Sequence, residues 1–118
     1  MKNATIFTLF LAFLSVQSIF GQDVHAKNIA TIRKAYDALN HRHWAAFSAQ
    51  CAPGYTEQNV SPMPVTGLNA AIDLYKQFMV AFPDFTVKIN EIAPLSPTRY
   101  LVLVTVTGTS SIDWTAQT

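Results

Sequence analysis

Two periods of apolar and polar positions run along this chain, and the change from one to the other marks its elements. Between Gly67 and Phe82, the residues Ala71, Leu74, Tyr75, Phe78, Met79 and Phe82 recur at the three- and four-residue spacing of a wide helical stripe. Pro83 disfavours helical backbone at Phe82, so the helix is predicted to stop there. Directly beyond, Phe85, Val87 and Ile89 alternate with Thr86, Lys88 and Asn90, which is strand period and predicts a strand over 84–92. A second strand, over 99–109, is predicted to pair back on the first through a turn at Pro94-Leu95-Ser96-Pro97. Its first half, Tyr100-Leu101-Val102-Leu103-Val104, is apolar at successive positions and suits a strand covered on both faces. From Val104 onward Thr105 and Thr107 make one face polar.

The same periodicity organises the earlier residues. From Val24 to Asn40, Ile29, Ile32, Tyr36 and Leu39 share one face, with Lys27, Arg33, Lys34 and Asp37 away from it, which predicts an amphipathic helix ending at Asn40. His41-Arg42-His43 follows at the corner. Two histidines one residue apart suggest a metal pair, but no acidic or cysteine ligand is close, and a helix C-terminus favours histidine by its dipole alone. Trp44 to Cys51 predicts a short second helix, with Trp44, Phe47, Ser48 and Cys51 at helical spacing. Ala52-Pro53-Gly54 breaks it. Tyr55 to Thr66 is a polar, proline-containing connection with one extended piece expected over Tyr55–Asn59. Asn59-Val60-Ser61 matches a glycosylation acceptor, which matters only in a eukaryotic secretory pathway.

The first 21 residues stand apart. Lys2, the apolar run from Ile6 to Phe20 and the small residues Ser18 and Gly21 read as a cleavable secretory signal peptide, leaving one domain over 22–118 and a secreted or periplasmic product. The run is short for a membrane span, so no stable membrane insertion is expected after cleavage. Eight Lys and Arg face seven Asp and Glu, and loss of Lys2 evens the balance. That offers no electrostatic footprint for nucleic acid or an anionic membrane. Cys51 is the sole cysteine, so no internal disulfide exists, and it reads as a small apolar helix residue. No phosphate-cradling glycine loop, zinc spacing or nucleophile elbow occurs.

Several short strings, in order, resemble one family. They are Tyr36-Asp37-Ala38-Leu39-Asn40 followed by Trp44-Ala45-Ala46-Phe47, the Gly67 helix, Ala81-Phe82-Pro83-Asp84-Phe85, and Val106-Thr107-Gly108-Thr109. From about residue 27 to 114 the chain resembles a SnoaL-like polyketide-cyclase or ester-cyclase domain of the nuclear transport factor 2-like superfamily. The resemblance implies an α+β fold: a cone in which three N-terminal helices pack on a curved mixed sheet around a pocket. The family's last strands have no counterpart in this sequence. In the family a pocket-facing His usually follows the Gly-Thr pair, where this chain has Ser110. A His beside Asn or Asp usually follows the second helix, where this chain has Gln58-Asn59.

A cofactor-free cyclase or isomerase of this kind needs an acid–base group in an apolar pocket, where burial raises a carboxyl pKa toward working pH. The pocket-facing candidates the resemblance implies are Tyr55, Gln58, Asn59, Ser110 and Asp113. Asp113 is the candidate base, and Tyr55 or Asn59 the candidate hydrogen-bond donor. Among the aromatic residues, Phe78 and Phe82 are the expected ligand-lining pair; most of the others read as plain core. Asp84 sits in the turn between helix and strand and reads as structural. Two readings stand. One is an enzyme acting without cofactor on a small apolar carbonyl or polyketide-like compound. The other is a non-catalytic binding or interaction module on the same fold, or a shortened relic of a longer protein. With nothing to pair beyond Trp114, the 99–109 strand keeps an open edge, which predicts a product that forms a homodimer through the sheet, aggregates or folds weakly.

Overall fold

The structure, a computed structural model, describes residues 23–58 and 65–112. The N-terminal segment read as a signal peptide, Asn59 with the string that matches a glycosylation acceptor, Asp113 and Trp114 lie outside the described residues. Helix α1 occupies residues 23–40 and α2 Trp44–Gln50. Two short strands, β1 (Thr56–Glu57) and β2 (Val65–Thr66), precede α3 (Leu68–Ala81). The hairpin β3 (Thr86–Ser96) and β4 (Arg99–Thr107) closes the order. β1 pairs antiparallel with β2, and β3 antiparallel with β4, so the described pairings are all antiparallel.

The core lies where α1, α2, α3 and β3 meet. Ala38, Leu39, Phe47, Ala71, Ile72 and Val87 are its buried residues, and Leu39 is 1% exposed. Tyr36, Trp44, Leu68, Tyr75, Met79 and Phe85 pack around them half-buried. The apolar stripes drawn from the sequence on α1 and α3 thus face each other's neighbours across this core, as burial of apolar surface requires.

Specific contacts fix the ends of the helices. Gly67 precedes α3 at φ 95° and ψ 146°, backbone open mainly to glycine, and its N–H donates to the Tyr55 carbonyl at 2.9 Å. At the other end the Phe82 N–H closes the helix on the Phe78 carbonyl at 2.7 Å, and Pro83 prevents a further turn. Ser111 then returns to this terminus, its N–H and Oγ both donating to the Ala81 carbonyl at 2.8 and 3.0 Å. Asn40 does more than end α1. Its Nδ2 donates to the Val87 carbonyl and its Oδ1 accepts from the Val87 N–H, both at 2.8 Å. The side-chain amide imitates one rung of a strand and ties α1 to β3.

The string Phe-Pro-Asp and the string Gly-Thr meet in space. The Thr109 N–H donates to Asp84 Oδ1 at 2.6 Å and the Thr109 hydroxyl to Oδ2 at 2.9 Å. A Cβ on Gly108 would stand 3.1 Å from the Cβ of Phe82. Asp84 is therefore structural in a wider sense than a local turn. These bonds hold its carboxyl below the usual carboxylate range.

Two expectations about the hairpin are corrected. The turn is not Pro94 to Pro97 but the two residues Pro97-Thr98, because β3 continues through Pro94 to Ser96. Register irregularities at Asn90 and Leu95 each insert one residue against β4, and the second lets Pro94, which has no N–H to give the ladder, remain in the strand. The insertion at Asn90 also reverses the alternation. Val87, Ile89 and Ile92 oppose Val106, Val104 and Val102 on one face, while Glu91 and Ala93 oppose Leu103 and Leu101 on the other. The expected cover on both faces of β4 is absent among the described residues: Leu101 and Leu103 are 47% and 45% exposed. A two-layer arrangement has helices for only one face of this sheet. β4 pairs with β3 alone among the described residues.

Candidate functional site

Four consecutive inward positions of α1, Ile32, Ala35, Tyr36 and Leu39, form one wall of a cavity of about 320 Å³. Phe47, Gln50 and Cys51 come from α2 and its end, Tyr75 from α3, Val102 from β4, and Tyr55 from the residue before β1. The cavity is mostly apolar. Phe47 stands at its centre of packing, edge to face with Tyr55 and Tyr75.

One carboxylate stands against the cavity wall. Tyr55 and Tyr75 both donate their hydroxyls to Glu57 Oε1, the second at 2.5 Å. The fold brings the three together by two devices. Tyr55 and Glu57 lie two residues apart on extended chain and so share a side. The Gly67 N–H bond to the Tyr55 carbonyl and the pairing of Glu57 with Val65 then set that side against the start of α3.

Burial, then the bond to Glu57, drives the Tyr55 and Tyr75 hydroxyls far above the usual tyrosine range. Both stay protonated at any working pH and act as donors. Tyr36 is raised too, by burial and then by the Glu57 charge. The same two causes, in the same order, raise the Cys51 thiol, which keeps it a thiol rather than a nucleophilic thiolate.

The residues singled out from the sequence fall in different places. Tyr55 lines the cavity and contacts Glu57. Gln58, the next residue along, is exposed, as the period of two requires. Phe78 and Phe82 line a second cavity of about 320 Å³ with Phe85, Val106, Thr107 and Gly108, and Phe78 stacks on Phe85 at 6.3 Å. Ser110 stands in the segment that returns to the end of α3, its Oγ donating to the Ile112 carbonyl at 2.9 Å. Asn59 and Asp113 are outside the described residues. The structure thus sets Tyr55 in one cavity and the two phenylalanines in another. Sequence reasoning did not single out the contact of Glu57 with Tyr55 and Tyr75. The signal for Glu57 was available: a pocket-facing Tyr55 on extended chain implies an inward Glu57 and an outward Gln58.

The histidine pair carries no metal-site geometry. His41 Nδ1 lies 2.8 Å from the Asp37 carbonyl and 3.5 Å from its carboxylate, at the surface. Among the described residues no three His, Cys, Asp or Glu side chains come together as a metal site requires, and no helix is long and apolar enough to cross a membrane.

Comparison with known proteins adds the family. A SnoaL-like domain pattern matches residues 32–118. No curated protein matches the chain. Among solved structures, the fold is similar to a crystal structure from Kribbella flavida DSM 17836 described as a "putative ketosteroid isomerase", with a TM-score of 0.58 and 22% identity. The match covers 70% of this chain and 59% of that one, so the chain spans about three-fifths of its length. At that identity the likeness speaks for the fold, an α+β fold of the nuclear transport factor 2-like kind, which the helices and hairpins above share. With the pattern matched over most of its length and the fold agreeing, this chain belongs to the SnoaL-like domain family of the nuclear transport factor 2-like superfamily.

Proposed function

We propose that this domain binds a small apolar carbonyl compound in the cavity between α1, α2 and α3, and moves its α-proton without a cofactor, as an isomerase or cyclase. The observation that carries the reading is the Tyr55–Glu57–Tyr75 cluster against an apolar wall. The Glu57 carboxylate would take the proton from the carbon next to the carbonyl. The electron pair left behind moves onto the carbonyl oxygen. Protonation of Glu57 releases hydroxyls of Tyr55 and Tyr75, which then donate to that oxygen where negative charge develops. The proton returns to a different carbon in an isomerisation, or the enolate attacks a second carbonyl in a cyclisation. Asp113 remains the alternative base, and Gln58, Asn59, Ser110, Phe78 and Phe82 the alternative contacts for a larger ligand. The signal-like segment supports action after export, in a secreted or periplasmic setting.

A second reading, binding without turnover, has its own support: both hydroxyls are already bonded to the same Glu57 oxygen, which leaves neither free to meet a carbonyl. One assay separates the two. Incubated with benzylacetone in heavy water, the protein should accelerate deuterium uptake beside the carbonyl. Glu57→Gln should lose about 10²–10⁴-fold of that rate, the usual contribution of a positioned base, while Asp113→Asn should keep it. Exchange that survives E57Q and disappears in D113N would move the base to Asp113. Binding with no exchange would leave a carrier or receptor.

A further inference from the structure

Charge says more about this cavity than shape does, and its charge preference matters only if the cavity is the ligand site of the proposed function. Four aromatic rings line it: Tyr36, Phe47, Tyr55 and Tyr75. Among the described residues that line it, none is Lys, Arg or His. The acid bonded to its wall is Glu57, held there by two tyrosine hydroxyls. Its field also reaches walls those bonds do not touch, since it adds to burial in raising Tyr36 and Cys51. The nearby basic side chains lie outside the described lining. Arg33 and Lys34 line an open groove on a neighbouring face of α1, and Lys76 Nζ sits 5.8 Å over the ring of Trp44. Aromatic rings and an adjacent carboxylate, with no basic side chain among the described lining residues, favour a positive charge over a negative one. A neutral ketone gains from neither.

We propose that the cavity prefers a small apolar organic cation, a tertiary or quaternary amine on an aryl or alkyl frame, and excludes the carboxylate of the same shape. The carbonyl substrate class narrows accordingly to compounds that carry an amine and no acid. Free fatty acids, acyl phosphates and other anions fall outside it, although many are apolar enough to fill the space.

Three probes on one phenylethyl frame test this: phenethyltrimethylammonium, benzylacetone and hydrocinnamate, each titrated into the protein by calorimetry. The ammonium should bind about tenfold more tightly than the ketone, the scale of one desolvated cation–π contact, and hydrocinnamate should bind most weakly. In E57Q the advantage of the ammonium over the ketone should shrink several-fold. The order within the wild-type protein stands as a test even if that variant folds poorly. Ketone binding with no gain for the ammonium, or hydrocinnamate binding as tightly as the ketone, overturns the charge preference and leaves the ligand site in place. Failure of all three probes to bind overturns both.

Discussion

Replacing Asn40 by alanine should cost far more than a half-buried surface amide normally does. Its two bonds to Val87 are both 2.8 Å long, and Val87 is 6% exposed, so little water stands ready to replace them. Each hydrogen bond contributes about 0.5–1.5 kcal/mol net, and each buried backbone group left without a partner costs about 1–3 kcal/mol. Alanine is the better helix former, which returns up to about 0.7 kcal/mol at the last residue of α1. The expected loss is about 2–4 kcal/mol, a large share of the roughly 5–15 kcal/mol typical of a domain. Urea unfolding should show a lower midpoint with an unchanged slope. Asn40→Asp sharpens the test. Ionised, it still accepts from the Val87 N–H but sets a carboxylate oxygen against the Val87 carbonyl. Protonated, it can donate again, so this variant should gain on N40A as pH falls. An N40A protein within about 0.5 kcal/mol of wild type would show that the amide does not hold α1 against β3.

Gly67→Ala should destabilise by about 1–3 kcal/mol, because a side chain is strained at φ 95° and ψ 146° even though a Cβ there has open space, and urea midpoints will measure it. Asp84→Asn should remove a pH-dependent share of stability. The folded carboxyl lies below its unfolded value, so the contribution is present above the unfolded pKa and lost as pH falls through the folded one; wild type should weaken from about pH 4 downward more steeply than D84N. Leu103→Lys should reduce self-association in sedimentation without weakening ligand binding, because Leu103 lies on the sheet face away from Val102 and the cavity. Equal association by wild type and variant would remove that face from any dimer.

The elements were legible in the sequence wherever a single period carried the information. The stripe from Ala71 to Phe82 and the stop at Pro83 gave α3 nearly to the residue, and the Phe-Pro-Asp and Gly-Thr strings were related by family resemblance before their contact was visible. The rest was hidden because it depends on partners distant in sequence. Nothing near Asn90 marks an inserted residue, and Pro94 beside Leu95 reads equally as a turn, since a bulge is defined only against the opposite strand. Asn40 read as a helix end because its second role needs Val87, 47 residues away. Glu57 escaped for another reason. A period of two shows that a strand exists, but which of its polar residues face inward is a separate question with its own answer.

The central claim is that ligand enters beside Glu57 rather than beside the phenylalanines at the far end of α3. Titration of benzylacetone into isotope-labelled protein, followed by NMR, tests it most directly. The account predicts shifts concentrated at Tyr36, Phe47, Cys51, Tyr55 and Tyr75, at the same residues in wild type and in E57Q. Shifts concentrated instead at Phe78, Phe82, Phe85 and Val106, or none at millimolar ligand, would contradict it.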